Sequence, residues 1–192
     1  FKFVQWDKGQ QLIIEANPEY YGEKPYFKKL TFLFLGEDGA FAAAKAGQVD
    51  MATIPAAFSK QEVEGMNLIN LTSVDNRGIL FPYVPSGKET EEGFPIGNDV
   101  TADIAIRKAI NIGINRKALV DGILEGYGTP AYSVCDSMPW WNPDTVIEDN
   151  NLEEAKKILA DAGWKDTDGD GILEKASLKA EFTMIYPASD QT

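Results

Sequence analysis

The stretch IAIRKAINIGINRKALVDGILEGYGTPA, residues 104–131, carries the clearest structural pattern in the chain. Its apolar side chains recur three to four positions apart between basic ones, which is typical of one face of an α-helix. Asn115 predicts a break and a restart, because Asn is unfavourable inside helices and favourable at their N-caps. Gly126 and Pro130 predict the end of a second helix, followed by extended chain over 129–134. The stretch contains no Ser, Cys or His, and we expect it to be a scaffold beside a binding surface.

The first part of the chain has the pattern of β-strands around one small helix. Two alternating apolar runs, 1–6 and 11–16, flank Asp-Lys-Gly-Gln and predict a β-hairpin. A continuous apolar run at 30–35 predicts a strand that is buried on both faces. Small residues at 40–46 predict a helix, and 49–54 predicts the next strand. Strand, helix and strand in this order form a βαβ unit, so we expect an α/β fold.

The later segments extend this expected pattern. We predict further strands and helices, the strands at 68–73, 78–84 and 178–186 and the helices beginning at Ser59 and at Asn150 or Asn151. Residues 85–98 are rich in Ser, Gly, Lys, Glu and Pro, and they predict a loop or domain boundary.

Composition and charge argue against several classes of function. The 192 residues are 44% hydrophobic and carry a formal net charge of −12. The apolar content is enough for a core, whereas the negative charge repels nucleic acids and anionic membrane surfaces. No run approaches the roughly 18 to 20 apolar residues of a membrane helix, and no signal peptide is recognisable. The chain opens without Met inside a predicted strand, so we expect it to be a piece of a longer protein.

Two residue types that carry much of protein chemistry are scarce. Histidine is absent, and Cys135 is the single cysteine. The sequence therefore lacks the commonest general base near neutral pH, and its Ser and Cys side chains lack their usual activator. One cysteine can form neither an internal disulfide nor a Cys-cluster zinc site. We expect Cys135 to behave as a small apolar residue.

The acidic residues leave two alternative functions open. Paired carboxylates could support a hydrolase, although no spacing among the 30 acids marks two of them as opposed across a cleft. The other alternative is a surface module that binds a partner protein.

The loop Asp-Thr-Asp-Gly-Asp-Gly matches the first half of an EF-hand calcium loop. Asp166, Asp168 and Asp170 supply oxygen at alternate positions, and Gly171 stands at the sixth. The twelfth position, which should be a bidentate Glu, is Ser177. Two interpretations follow: a turn whose carboxylates bind local backbone amides, which we favour, or a weak cation site.

Four aromatic side chains are candidates for ligand contact. Tyr83 lies where a predicted strand leaves the first part of the chain, and Tyr132, Trp140 and Trp141 follow the opening stretch. Aromatic side chains offer a large contact area at low entropic cost, which suits ligand grooves. Each of them could equally cover the edge of a core.

Four motifs resemble the extracellular solute-binding proteins of family 5, the peptide- and nickel-binding components of ABC importers. They occur in order: FKFVQWDKGQQLIIEANPEYYGEKP, AAAKAGQVDMATIP, the opening stretch through Tyr132, and NLEEAKKILADAGWKDTDGDGILEK. The resemblance implies an α/β, two-lobed, Venus-flytrap fold that traps a peptide or a nickel chelate between its lobes. It also implies an extracytoplasmic lipoprotein that delivers its ligand to a membrane permease, without a cofactor and without enzymatic activity.

The resemblance also implies how the chain divides. Residues 1–82 would be the later part of lobe I, 83–101 the hinge crossing with its loop, and 102–192 the first part of lobe II. The hinge strand departs from the family: Ile79 to Pro85 reads ILFPYVP and lacks the Asn that many relatives have there. We expect the family's acidic peptide anchor or its metal-chelate residues to lie past Thr192, so neither is assigned here.

Overall fold

A computed structural model describes residues 1–187, which fold as two compact units. The first unit is Phe1–Leu68, and the second begins at Ile69. No helix among residues 1–187 combines the length and the apolar character needed to cross a membrane.

The first unit contains a three-stranded antiparallel sheet in the order β1-β2-β3. Its strands are β1 (Lys2–Asp7), β2 (Gln11–Glu15) and β3 (Lys29–Leu33). The tight turn between β1 and β2 places Gly9 at a φ of 77°, a conformation that glycine adopts without the clash a side chain would cause. The predicted hairpin is therefore confirmed.

The helix α1 (Glu37–Lys45) follows the sheet along the chain and contacts the segment after it through one aromatic pair. Buried Phe41 stacks on Phe58 with ring centroids 4.4 Å apart. The helix ends where Gly47 takes a φ of 66°, because helices commonly end at a glycine in the left-handed conformation. The prediction of a helix at 40–46 is confirmed, with a start a few residues earlier.

The predicted βαβ unit is wrong. Residues 49–54 form no strand, and a 3-10 turn, Ala56–Phe58, follows with Ser59 at its C-terminal end instead of opening a helix. A strand requires a neighbour that pairs with its backbone groups, and 49–54 has none among the described residues. The apolar run at 30–35 also differs from its prediction, because Phe32 is 47% exposed and the strand is not buried on both faces.

The second unit is built mainly from helices. Its elements are β4 (Lys88–Glu89), β5 (Pro95–Ile96), α2 (Asp99–Ala102), α3 (Ile104–Gly113), α4 (Arg116–Ile123), α5 (Leu152–Asp161), β6 (Glu174–Lys175) and β7 (Leu178–Lys179). The strands pair as two small antiparallel hairpins, β4 with β5 and β6 with β7. The predicted loop at 85–98 thus contains the first of these hairpins.

Asparagine and aspartate side chains set the starts of these helices. Asn115 accepts from the backbone N–H of Ala118 at 2.8 Å, and Asn151 accepts from that of Glu154 at 3.0 Å. Each bond satisfies a donor that would otherwise lack a partner in the first helical turn. The predicted break at Asn115 and the predicted helix after Asn151 are both confirmed.

The core of the second unit lies where α3 packs against α5 and the segments that flank it. Val100, Ile106 and Trp164 are its fully buried members. Side chains from α3, α5 and the β6–β7 hairpin surround them: Ile110, Leu159, Ala162, Leu173, Leu178 and Ala180. The Trp164 indole N–H donates to Asp103 Oδ2 at 3.0 Å, so the largest core side chain also satisfies its polar atom.

Three further predicted strands are wrong or much shorter than predicted. Residues 68–73 and 78–84 form no strand, and 178–186 contains only the two residues of β7. Side-chain contacts are found where sheet hydrogen bonds were expected. The Thr101 hydroxyl donates to the Pro82 carbonyl at 2.7 Å, and the Phe81 ring contacts the Phe182 ring edge to face. Residues 78–84 and the part of 178–186 beyond β7 are therefore held by isolated contacts and not by sheet pairing.

Asp103 makes the stability of the second unit dependent on pH. The Lys175 ammonium at 2.7 Å is the main cause that lowers the pKa of Asp103; partial burial opposes it, and the Ala105 amide and the Trp164 indole add to the lowering. An unfolded Asp titrates near a pKa of about 3.9. The stabilisation is therefore present above that pH and is lost as the pH falls through the lower, folded pKa.

We expect the free energy of unfolding to fall in acid more steeply for the wild-type protein than for Asp103→Asn. Urea titrations at a series of pH values between 2 and 7 measure this difference. Identical pH profiles would show that Asp103 does not carry the effect.

Candidate functional site

The four candidate aromatic residues occupy different environments. Tyr83 is 75% exposed and Trp140 is 69% exposed. Tyr132 and Trp141 are partly buried, and both belong to the segment 131–141, which we call the aromatic loop. Residues 132–137 turn within this loop and do not continue the extended chain predicted for 129–134.

Asp136 holds the aromatic loop together. Its Oδ2 accepts from the Tyr132 backbone N–H at 2.8 Å, and its Oδ1 accepts from the Ser133 N–H at 2.7 Å and from the Ser133 hydroxyl. Partial burial raises the pKa of Asp136, but these bonds, with one from Trp141, outweigh burial and leave that pKa lowered. The carboxylate is therefore ionised at neutral pH and fixes the backbone on either side of the Tyr132 side chain.

Arg116, at the start of α4, binds the same loop from the other side. Its Nε donates to the Ala131 carbonyl at 2.9 Å, and its guanidinium carbon lies 4.9 Å from the centre of the Tyr132 ring. Its Nη1 donates to the Asn111 carbonyl at 2.9 Å and pairs with Asp149 at 3.1 Å. The end of α3, the start of α4 and the aromatic loop are thus joined through one side chain.

A third contact comes from far along the chain. The Asn76 amide donates to the Ser133 carbonyl at 2.8 Å, which ties the segment after Ile69 to the aromatic loop. Sequence reasoning did not single out Asn76, Arg116 or Asp136 as part of this site. Asp136 had a usable signal, since Ser133 followed three residues later by an acid matches the capping-box pattern, in which the acid accepts from the Ser backbone N–H, whereas Asn76 had none.

The single cysteine lies within this loop. Cys135 is partly buried, and its sulfur is 3.7 Å from the Ser133 hydroxyl oxygen. We expected Cys135 to behave as a small apolar residue, but its thiol has the Ser133 hydroxyl as a polar neighbour.

The acidic loop at 166–171 uses its carboxylates on its own backbone. Asp166 accepts from the N–H groups of Gly169 at 2.6 Å and Gly171 at 3.0 Å. Asp168 accepts from the Asp170 N–H at 3.1 Å, and Asp170 accepts from the Ile172 N–H at 2.8 Å. These contacts are those of a self-contained Asp/Gly turn.

A lysine side chain of the protein already pairs with this acidic loop. The Lys179 ammonium is 2.6 Å from one Asp170 oxygen and 3.9 Å from one Asp168 oxygen. Carboxylate oxygens of Asp166, Asp168 and Glu174 also come within 4.8 Å of one another, a grouping that excludes Asp170 and includes Glu174. The three carboxylates that come close together are therefore not the three that the EF-hand pattern indicates.

We expect calcium to leave the melting temperature unchanged, because Lys179 and backbone amides already satisfy much of this negative charge. Thermal unfolding with 5 mM chelator and with about 1 mM Ca²⁺, a concentration that would fill weak extracellular calcium sites, measures this directly. A rise with Ca²⁺ that disappears in Asp166→Asn would establish a cation site instead.

An apolar groove of about 390 Å³ lies between α3 and α5. Its lining includes Val100, Ile110, Leu159 and Phe182, with Lys156 as the charged member. Ligand sites orient their ligands with a few placed polar groups, and this groove offers little of that kind. We therefore do not assign it to ligand binding.

Comparison with known proteins gives a consistent picture. The family described as bacterial extracellular solute-binding proteins, family 5 (middle region), matches residues 1–192. The oligopeptide-binding protein AppA of Bacillus subtilis is 32% identical over 188 residues, which are 96% of this chain and 33% of AppA. The chain thus spans about a third of the length of the curated relatives it matches.

Solved structures agree with the sequence comparison. AppA in complex with a nonapeptide superposes with a TM-score of 0.63 at 30% identity, covering 93% of this chain and 34% of that one. NikZ of Campylobacter jejuni in complex with Ni(L-His) gives a TM-score of 0.74 at 24% identity, with 93% and 34% covered. These matches confirm the expected fold class, an α/β part of a two-lobed periplasmic-binding-protein-like fold. The chain belongs to the bacterial extracellular solute-binding proteins of family 5.

Proposed function

We propose that the protein containing this chain is the extracytoplasmic substrate-binding component of an ABC importer. It captures a peptide or a nickel chelate between two lobes and delivers it to a membrane permease. The observation that carries the proposal is the family match over the whole of residues 1–192. AppA, described as oligopeptide-binding, and NikZ, solved with a nickel–histidine complex, represent the two ligand classes.

The lobes divide as the family resemblance implies. Residues 1–82 belong to lobe I, 83–101 cross the hinge, and 102–192 begin lobe II. A lipid anchor outside this chain holds the full-length protein at the membrane. Binding to both lobes at once would favour the closed state by the difference in ligand affinity between the closed and open states.

The aromatic loop supplies ligand contacts from the second lobe. Its backbone is fixed by Asp136, Arg116 and Asn76, so Tyr132 and Trp141 present aromatic surface that loses little freedom when a ligand binds. Tyr83 and Trp140, which are largely exposed, add contact area when the lobes close.

The protein binds its ligand without changing it chemically. The relatives are solute-binding proteins, and these 192 residues contribute no histidine as a general base. The acid–base alternative would need two carboxylates opposed across a cleft. In the aromatic loop, both carboxylate oxygens of Asp136 accept hydrogen bonds from backbone N–H groups.

Thermal-shift measurements on the full-length protein test the proposal. The probes are a nonapeptide mixture and Ni²⁺ with L-histidine, and mass spectrometry follows the probe after binding. We expect one of the two probes to raise the melting temperature and to be recovered intact. Tyr132→Ala and Trp141→Ala should weaken that shift, whereas Tyr21→Ala, which removes a ring that is 96% exposed in the first unit, should not. Hydrolysis of the probe would contradict the proposal.

A further inference from the structure

We propose that Arg116 is a positioning residue for ligand recognition, which holds the Tyr132 ring in its binding orientation. This inference rests on the proposed function, because it assumes that Tyr132 contacts the ligand. It assigns Arg116 a role beyond helix packing.

All three guanidinium nitrogens of Arg116 donate hydrogen bonds. Its Nε donates to the Ala131 carbonyl, its Nη1 to the Asn111 carbonyl and to Asp149, and its Nη2 to the Asn111 side-chain oxygen. The Asp149 carboxylate also accepts from the Arg116 backbone N–H at 3.2 Å. A planar guanidinium bound at this many points cannot rotate away from its position.

The same guanidinium lies over the Tyr132 ring. The guanidinium carbon is 4.9 Å from the ring centroid, within the range of a cation–π contact. The side chains of Arg116 and Asp149 are only 15% and 17% exposed, so water screens this interaction weakly. The bond to the Ala131 carbonyl fixes the backbone directly before the tyrosine at the same time.

Orientation of the ring matters because a free tyrosine would have to be ordered when the ligand binds. Asp136 already fixes the backbone N–H groups of Tyr132 and Ser133, and Arg116 lies over the ring, so much of that ordering cost is absent from the binding step. Lysine cannot replace arginine here, since an ammonium lacks the planar fork that reaches Ala131, Asn111 and Asp149 together.

The test compares ligand affinity in four forms of the full-length protein: wild type, Arg116→Gln, Arg116→Lys and Lys117→Gln. Lys117 is the next residue of α4, and its exposed side chain pairs with Asp121 one turn further along the same helix. Lys117→Gln therefore removes the same charge without disturbing Tyr132. The probe is whichever of the nonapeptide mixture and nickel–histidine stabilises the wild type.

We expect Arg116→Gln and Arg116→Lys to weaken binding by about tenfold, the size of one lost oriented aromatic contact. Lys117→Gln should remain within about twofold of wild type, as expected for an exposed charge. Because Arg116→Gln leaves Asp149 without its cation, the pair Arg116→Gln/Asp149→Asn serves as a second variant that is free of that defect.

A double-mutant cycle separates positioning from a purely structural role. If Arg116 acts through Tyr132, Arg116→Gln will change affinity in the wild-type background but not in a Tyr132→Ala background. Equal losses in both backgrounds would overturn the inference, as would full affinity in Arg116→Gln when Tyr132→Ala is weakened. If neither probe binds the wild type, or if Tyr132→Ala binds normally, the proposed function or its contact residue fails first, and the inference fails with it.

Discussion

Replacing Trp164 with alanine will lower the free energy of unfolding of the second unit by about 3–5 kcal/mol. Trp164 is 2% exposed and packs against Val100 and Ile106, where α3 meets the segment after α5. Its removal opens a cavity that the neighbouring side chains can fill only in part. It also leaves Asp103 without the indole donor at 3.0 Å.

Two matched variants sharpen this prediction. Trp140→Ala deletes the same side chain at a site that is 69% exposed, and it should change stability by less than about 0.5 kcal/mol. Trp164→Phe keeps most of the buried area and loses the indole N–H, so it should fall between the two. Urea unfolding followed by circular dichroism measures all three. Equal stability of Trp164→Ala and Trp140→Ala would show that Trp164 does not anchor the core.

Replacing Asp103 with alanine will cost about 2–3 kcal/mol, the second largest effect we expect. One carboxylate makes three contacts: it accepts from the Ala105 N–H as the N-cap of α3, from the Trp164 indole, and from Lys175. Loss of the cap accounts for about 1 kcal/mol. The remainder is the cost of a buried indole N–H that no longer has an acceptor.

Asparagine and a second cap serve as the controls for Asp103→Ala. Asp103→Asn keeps one side-chain oxygen, which can accept from the Ala105 N–H in the place of Oδ1, but it puts an amide NH2 where Oδ2 accepts from the indole and Lys175. It should therefore cost less than alanine by about the value of the cap, roughly 1 kcal/mol. Asn115→Ala removes only the cap of α4 and should cost about 1 kcal/mol. If Asp103→Ala were no worse than Asn115→Ala, the link from Asp103 to the core would contribute nothing measurable.

The helices α1, α3, α4 and α5 and the hairpin turn were predictable because their signals are local, whereas the helix predicted at Ser59 did not form. Asn115 and Asn151 cap helices through bonds to residues three positions ahead, and Gly9 and Gly47 adopt backbone conformations that glycine favours. A cap or a turn depends on a handful of consecutive residues, so it can be recognised without knowledge of the rest of the fold.

The strands after β3 were not predictable in the same way. Residues 49–54, 68–73 and 78–84 have apolar patterns that suit a strand, yet none of them pairs with a neighbour within the described part of the chain. A strand exists only when another segment meets its backbone donors and acceptors. Which segments meet is a long-range property that hydrophobic pattern alone does not contain.

The candidate site shows the same division. Aromatic type was sufficient to select Tyr132 and Trp141, and the Asp/Gly spacing was sufficient to indicate a tight acidic turn at 166–171. The partners of these residues required coordinates: Asn76 reaches Ser133 across 57 positions, and Lys179 reaches Asp170 across 9. No short motif records such pairs.

Residues 104–131 illustrate what the sequence determined and what the tertiary structure determined. By itself the sequence established two helices with a break at Asn115, the α/β class and the resemblance to the solute-binding family. Only the tertiary structure showed that Arg116, a basic residue in the polar part of that pattern, lies against Tyr132 and joins α3, α4 and the aromatic loop. The reason is physical: helix formation follows from contacts between residues a turn apart, whereas the side chain that orients a ring is selected by three-dimensional packing.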